Sequence, residues 1–156
     1  MKDLTLSRHY FLVDGKPKQL WFGEMDYFRI PRENWGKSLD QLKAMGIDGV
    51  SIYVAWISHE RKPGEIDFTD NLDLDAFLNL IEEKDMFAWL RPGPYVYAEL
   101  RFAGIPPWLA VEHPEILACR WKDGRFQPLD EGMSISYLHP IFLQYVDRWY
   151  SRVIPV

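Results

Sequence analysis

Residues Asp48–Trp56 read DGVSIYVAW, with Val50, Ile52, Val54 and Trp56 alternating against Ser51, Tyr53 and Ala55. A period of two with β-branched enrichment predicts a strand. Just before it, Trp35, Leu39, Leu42 and Met45 recur at helical spacing, with Asn34 placed as an N-cap and Gly46 as the glycine past the end. After the loop ISHERKPGEIDFTDN (57–71), Leu74, Phe77, Leu78 and Ile81 form a second apolar helical stripe. Met86–Leu90 is a short apolar run that suits a fully buried strand. Upstream, QLWFGEMDYF (19–28) reads as a further strand, bent or closely approached at Gly23. The order strand, helix, strand, helix, strand, repeating at about thirty residues, is that of βαβ units and predicts an α/β fold with a parallel sheet.

A parallel sheet is either open and doubly wound or closed as a barrel. No glycine-rich phosphate loop follows any strand, which disfavours a nucleotide-binding sheet. The segments after the strands instead carry acids and aromatics: Glu24 and Asp26, then His59 and Glu60, then Tyr97 and Glu99. In a (β/α)-barrel such strand ends converge on the face where active sites lie. The N-terminal segment, His9–Val13 and Lys18–Phe22 around Asp14-Gly15-Lys16, reads as a β-hairpin. Downstream, Gly104-Ile105-Pro106-Pro107-Trp108-Leu109 begins a short helix, with a proline suited to its first turn. Trp121–Phe126 reads as a small excursion around its own Asp-Gly turn. Pro140 opens a helix with the stripe Phe142, Tyr145, Val146, Trp149 and Val153, and Ile154–Val156 reads as the approach to a fourth strand.

Composition bounds the chemistry. The 156 residues are 47% hydrophobic and 26% charged, enough for an ordinary core and too apolar for a disordered chain. A net charge of −5 gives no basic excess for a polyanion, so nucleic acid is an unfavoured partner. Seven Trp, eight Tyr and nine Phe exceed what a small core needs and suit either a large aromatic core or a surface that binds a flat, partly apolar ligand such as a carbohydrate. The single Cys119 excludes an internal disulfide and reads as a buried or bystander thiol. No apolar run reaches signal-peptide or membrane-span length, so a cytoplasmic location and no membrane partner are expected.

Carboxylates at three strand ends invite glycoside hydrolysis, in which one carboxyl group protonates the leaving oxygen and another attacks or activates water. Acids there also serve structure, by accepting from loop amides or pairing with Arg29 and Arg91. His59-Glu60 has no second histidine four residues on, and four dispersed histidines argue against a metal site. His113 and His139 each precede a proline and read as loop or helix-entry residues. Ser134 and Ser136 lack the glycine frame of a nucleophile elbow. No cofactor or metal is expected.

The most specific stretch is LRPGPYVYAELRFAGIPPWL (90–109), which resembles the signature RPGPYxCAEWxxGGxPxWL of glycoside hydrolase family 35 β-galactosidases. GEMDYFRIPRENW (23–35) and YVAWISHERKPGEIDF (53–68) agree with the same family in order and spacing. The resemblance implies a (β/α)8 catalytic barrel that hydrolyses terminal β-galactosyl linkages with retention, using two glutamates. Tyr53 then matches a sugar-contacting tyrosine at the end of the second strand. Glu99 matches the glutamate of AEW that hydrogen-bonds galactose hydroxyls, and Tyr97 and Ala98 lie where the adjacent segment touches the same sugar. Glu24 and Glu60 take support roles in the barrel mouth.

Neither catalytic glutamate of the family has a counterpart, because the acid/base belongs to an Asn-Glu-Tyr-Gly motif and the sequence contains no Asn-Glu dipeptide. The family barrel needs about 250 residues, so residues 1–156 are expected to be its N-terminal portion, a hairpin plus about three βα units, stopping before the fourth strand. A partner would be a β-galactoside or other carbohydrate, and also the missing C-terminal part of the barrel. Asp26, Leu100 and Ala103 depart from the family's histidine, tryptophan and glycine. They leave open a related β-hexosidase such as an exo-β-glucosaminidase, and a non-catalytic galactose-binding module stands as a further alternative.

Overall fold

The computed structural model describes residues 3–96, 99–119, 124 and 135–154. The N-terminal hairpin is present around Asp14-Gly15, with β2 (Phe11–Val13) antiparallel to β3 (Lys16–Lys18), but its second strand lies at Lys16–Lys18 and not over the expected Lys18–Phe22, because Phe22 belongs to a separate sheet. A strand not anticipated, β1 (Leu4–Leu6), pairs antiparallel with β2 in register Leu4↔Val13. Its three residues are too few to show a period, so only the pairing reveals it.

A second sheet carries the βαβ rhythm: β4 (Phe22–Glu24), β5 (Gly49–Tyr53) and β6 (Phe87–Arg91), in that spatial order. β4 and β5 run parallel with Phe22 opposite Gly49 and Glu24 opposite Ser51. Between β5 and β6, Phe87 N donates to Asp48 O and Val54 N to Arg91 O, so residue numbers rise together and this pair is parallel too. The connections contain α1 (Trp35–Ala44) and α3 (Leu74–Glu83), as parallel pairing requires. Architecture and order are therefore α/β, as read from the sequence.

Boundaries in the second sheet also differ from expectation. The strand expected over 19–28 spans only Phe22–Glu24, and Tyr27–Arg29 form a 3-10 turn. Past Glu24, Met25 N still donates to Ser51 O, and Tyr27 leaves the sheet to bury its ring against Trp35 and Phe77. The strand over 48–56 stops at Tyr53. Trp56 instead begins the single turn α2 (Trp56–His59), because its indole reaches the Glu60 carboxylate four residues on. The run Met86–Leu90 is a strand one residue later than read, but Ala88 and Trp89 are exposed; β6 is the edge of this sheet, with no described strand on its far side.

Residues 3–52 with 68–90 form one compact unit, and the described residues of 53–67 with 91–154 form another. In the first, Tyr27 stacks on Phe77 at 5.2 Å, and Trp35 meets both rings edge-on. Such aromatic pairs contribute about 0.5–1.5 kcal/mol each beyond their buried area. The Trp35 indole N–H donates to the carbonyls of Tyr27 and Ile30, which satisfies the turn before α1. Asn34 is itself helical and makes no side-chain cap bond, because a 3-10 turn over Arg32–Asn34 already leads into the helix. Asp73 caps α3: its Oδ1 accepts from Ala76 N and its Oδ2 from Arg32. That amide, and then the guanidinium, hold its carboxyl below the usual range.

The second unit contains α2, α4 (Pro107–Glu112) and α5 (Pro140–Val153); α5 starts at its expected proline, while α4 starts at Pro107, later than the expected Gly104, which ends a 3-10 turn. The stripe on α5 buries Phe142, Val146, Trp149 and Val153. His113 and His139 sit at helix ends, and Cys119 is exposed, so the buried alternative for that thiol is excluded. The excursion 121–126 and the approach to a fourth strand at 155–156 lie outside the described residues, Gly124 excepted.

Gly49 is where β4, β5 and β6 crowd together. A Cβ there would stand 2.4 Å from Phe22 Cε1 and 2.8 Å from the Phe87 carbonyl oxygen. Gly49→Ala is therefore expected to destabilise by about 1–3 kcal/mol in denaturant unfolding. Gly36→Ala, inside α1 with its nearest neighbour at 3.9 Å, should stabilise by up to about 1 kcal/mol.

Candidate functional site

The second unit carries every described residue for which sugar contact is implied. Tyr53, at the C-terminal end of β5, is half-buried, and the Arg91 guanidinium lies 3.6 Å from its ring centroid. This stack fixes the ring plane, so Arg91 orients an aromatic. Val54 N donating to Arg91 O keeps the two strand ends in step. Tyr97 and Ala98 lie outside the described residues. Glu99 is exposed and holds a left-handed backbone at φ +47°.

Glu99 belongs to a loop with an unusual concentration of left-handed residues. Phe102 at +54°, Ala103 at +52° and Gly104 at +78° follow it. Val96 N donates to Ala103 O at 2.9 Å and closes the loop. At Gly104 a Cβ would fall 2.2 Å from Val96 Cγ2, so both the dihedral and the space demand glycine there. Ala103, which stands in place of a glycine of the resembled motif, holds its conformation at a cost of about 1–2 kcal/mol.

Glu60 is fully buried, and its surroundings decide its role. Oε2 accepts from the Trp56 indole at 2.7 Å, and Oε1 accepts from Gly64 N at 2.7 Å and from the Arg148 guanidinium. Its backbone carbonyl accepts from the Trp108 indole at 2.9 Å. Arg148 also lies over the rings of Tyr145 and Trp108, 4.9 and 5.8 Å from their centroids. A carboxylate with both oxygens engaged by three donors is a structural hub, as the support reading of Glu60 anticipates.

Beside it, His59 is buried against Trp149, with Nδ1 2.7 Å from the Asp67 carbonyl. Burial lowers its pKa below the ordinary 6.5, against the pull of Asp67, and favours the neutral ring. Glu24 ends β4 in the other unit and is exposed, while Asp26 pairs with Arg29 at 2.9 Å. Both acids belong to the first unit.

Arg148, Trp149 and Tyr150 were not anticipated as site residues, apart from Trp149 as core. Arg148 donates to Glu60, the Trp149 indole to Pro92 O at 2.7 Å, and the Tyr150 hydroxyl to Gly93 O at 2.6 Å. Partial burial holds the Tyr150 phenol above its ordinary 10.0, so it remains a donor at neutral pH. The spacing Tyr145–Arg148 was a visible cation–π signal on a helix, but nothing local names the carbonyls these side chains reach.

Comparison with known proteins gives consistent relatives. Residues 10–132 match Glycosyl hydrolases family 35. An exo-β-D-glucosaminidase of Thermococcus kodakarensis is 37% identical over 163 aligned residues, covering 100% of this chain and 20% of its own length. A β-galactosidase of Homo sapiens is 33% identical over 155 residues, covering 99% and 20%. The chain thus spans about a fifth of the length of these curated relatives. A solved β-galactosidase from the psychrophilic Marinomonas ef1 shares the fold with a TM-score of 0.72 at 18% identity, over 86% of this chain and 19% of its own. One from the haloarchaeon Halorubrum lacusprofundi gives 0.62 at 20% identity, over 86% and 18%.

Glu60→Ala strands three donors and is expected to cost about 3–5 kcal/mol of unfolding free energy. Arg148→Lys, which keeps the charge but loses the planar stack, should cost less than half of that. Because the folded pKa of His59 lies below its unfolded value of 6.5, its contribution is complete above 6.5 and declines as pH falls. Unfolding free energy measured against pH should therefore begin to drop just below 6.5, above the carboxylate range, and His59→Gln should remove that slope.

Proposed function

The chain belongs to Glycosyl hydrolases family 35, and from that premise we propose that it forms the N-terminal portion of a (β/α)8 catalytic barrel of the β-galactosidase type. The single observation that carries this is the family match over residues 10–132, which includes the 90–109 signature. The parallel order β4–β5–β6 with helices between the strands supports a barrel segment, and the about 20% coverage of the relatives supports a larger whole. The substrate class is terminal non-reducing β-D-galactosyl residues, cleaved with retention. One glutamate attacks the anomeric carbon while the other protonates the leaving oxygen, and water then hydrolyses the glycosyl ester. Neither glutamate is in this sequence.

Its own contribution is to hold the sugar. The exposed Glu99 carboxylate accepts from two hexose hydroxyls, and Tyr53 offers an aromatic edge with a polar tip. Tyr97 and Ala98 complete the contact from the same segment. The second reading, an exo-β-D-glucosaminidase, is favoured by the 37% identity to enzymes of that name from Thermococcus kodakarensis and Pyrococcus horikoshii. The departure at Asp26 concerns a carboxylate already paired with Arg29, which leaves galactoside as the first reading.

The test is made on the full-length polypeptide containing this chain. It should hydrolyse 4-nitrophenyl β-D-galactoside, and a clear preference for the β-D-glucosaminide would establish the second reading instead. Glu99→Gln should lower kcat/KM by about 10- to 100-fold, the effect of losing charge-assisted bonds of about 1.5–3 kcal/mol. The 156-residue chain alone should show no turnover; activity that survives both Glu99→Gln and purification controls would overturn the assignment.

A further inference from the structure

The segment that leads from β6 to Glu99 begins Pro92-Gly93-Pro94. Two of its three residues have no N–H, so it cannot be held by a backbone ladder once it leaves the sheet at Arg91. Its carbonyls need donors from elsewhere, and α5 provides them from consecutive positions: the Trp149 indole to Pro92 O and the Tyr150 hydroxyl to Gly93 O. Trp149 is fully buried and stacks on Trp56 at 5.7 Å, so its side chain is also core. Tyr150 is half-buried, and its hydroxyl is the end that meets the loop.

We propose that Tyr150, together with Trp149, is a positioning residue for Glu99. The inference rests on the sugar-binding reading of Glu99 given above. The loop is anchored at its base by α5 and closed by Val96 N to Ala103 O. Within the closed loop, Glu99, Phe102 and Ala103 all hold left-handed dihedrals that non-glycine residues leave when released. The anchor at Gly93 thus supplies part of the restraint that keeps the Glu99 backbone in place, and its effect reaches the sugar only through Glu99.

Tyr150→Phe removes the hydroxyl and keeps the ring. The matched control is Tyr145→Phe, one turn away on α5, whose hydroxyl meets His113 Nε2 at 3.0 Å. In the full-length polypeptide containing this chain, hydrogen exchange read by mass spectrometry on the peptides that hold the Val96, Ala103 and Ile105 amides, which bond within this loop, should accelerate by about tenfold in Tyr150→Phe and stay near wild type in Tyr145→Phe. Affinity for D-galactose, titrated in parallel, should weaken by about three- to tenfold in Tyr150→Phe. Glu99→Gln should weaken it at least as much, and the double variant no further than Glu99→Gln alone. Unchanged exchange in Tyr150→Phe, or equal acceleration in both tyrosine variants, overturns the anchor. If Glu99→Gln leaves galactose affinity unaltered, the sugar-binding reading falls and the positioning role falls with it. If Glu99→Gln weakens binding but Tyr150→Phe does not, the positioning role alone is overturned.

Discussion

A carboxylate taken out of water must be repaid by donors, and in the second unit that carboxylate is Glu60. Removing such a group from solvent costs several kcal/mol after relaxation. The fold meets this with the Trp56 indole, the Gly64 amide and the Arg148 guanidinium, drawn from α2, the following loop and α5. Because each donor belongs to a different segment, one charge fixes three segments at once. The Trp108 indole adds α4 through the backbone of the same residue. A hydrophobic residue at position 60 would pack with less desolvation cost but would impose no such directionality.

The consequence for function runs along α5. Arg148, Trp149 and Tyr150 are neighbours in sequence, and the ion pair that places the first also places the next two over the Pro92 and Gly93 carbonyls. The loop that presents Glu99 thus depends on a helix about fifty residues further along. The first unit solves a different problem, with Tyr27, Trp35 and Phe77 packed ring on ring and Gly49 left bare so that three strands can crowd together.

Helices were the most legible elements. The stripes at 35–45, 74–81 and 142–153 each gave a helix, because periodicity of apolar residues is a local property that packing then exploits. Strand ends were less legible. Trp56 continued an alternating pattern yet turned into α2, since an indole-to-carboxylate bond at i,i+4 outweighed β preference. Trp89 sat in an apolar run yet is exposed, since burial of a strand depends on what stands beside it.

The sequence by itself determined the α/β order and the family, because motif identity and spacing survive without knowledge of contacts. Only the tertiary structure decided what surrounds each acid. Glu24, Glu60 and Glu99 look alike as letters at strand ends. Glu60 is buried among donors, one of them 88 residues away, while Glu99 stands exposed on a loop set by backbone strain. The role of a carboxylate follows from how many donors surround it and how much water remains, and both are set by segments distant in the chain.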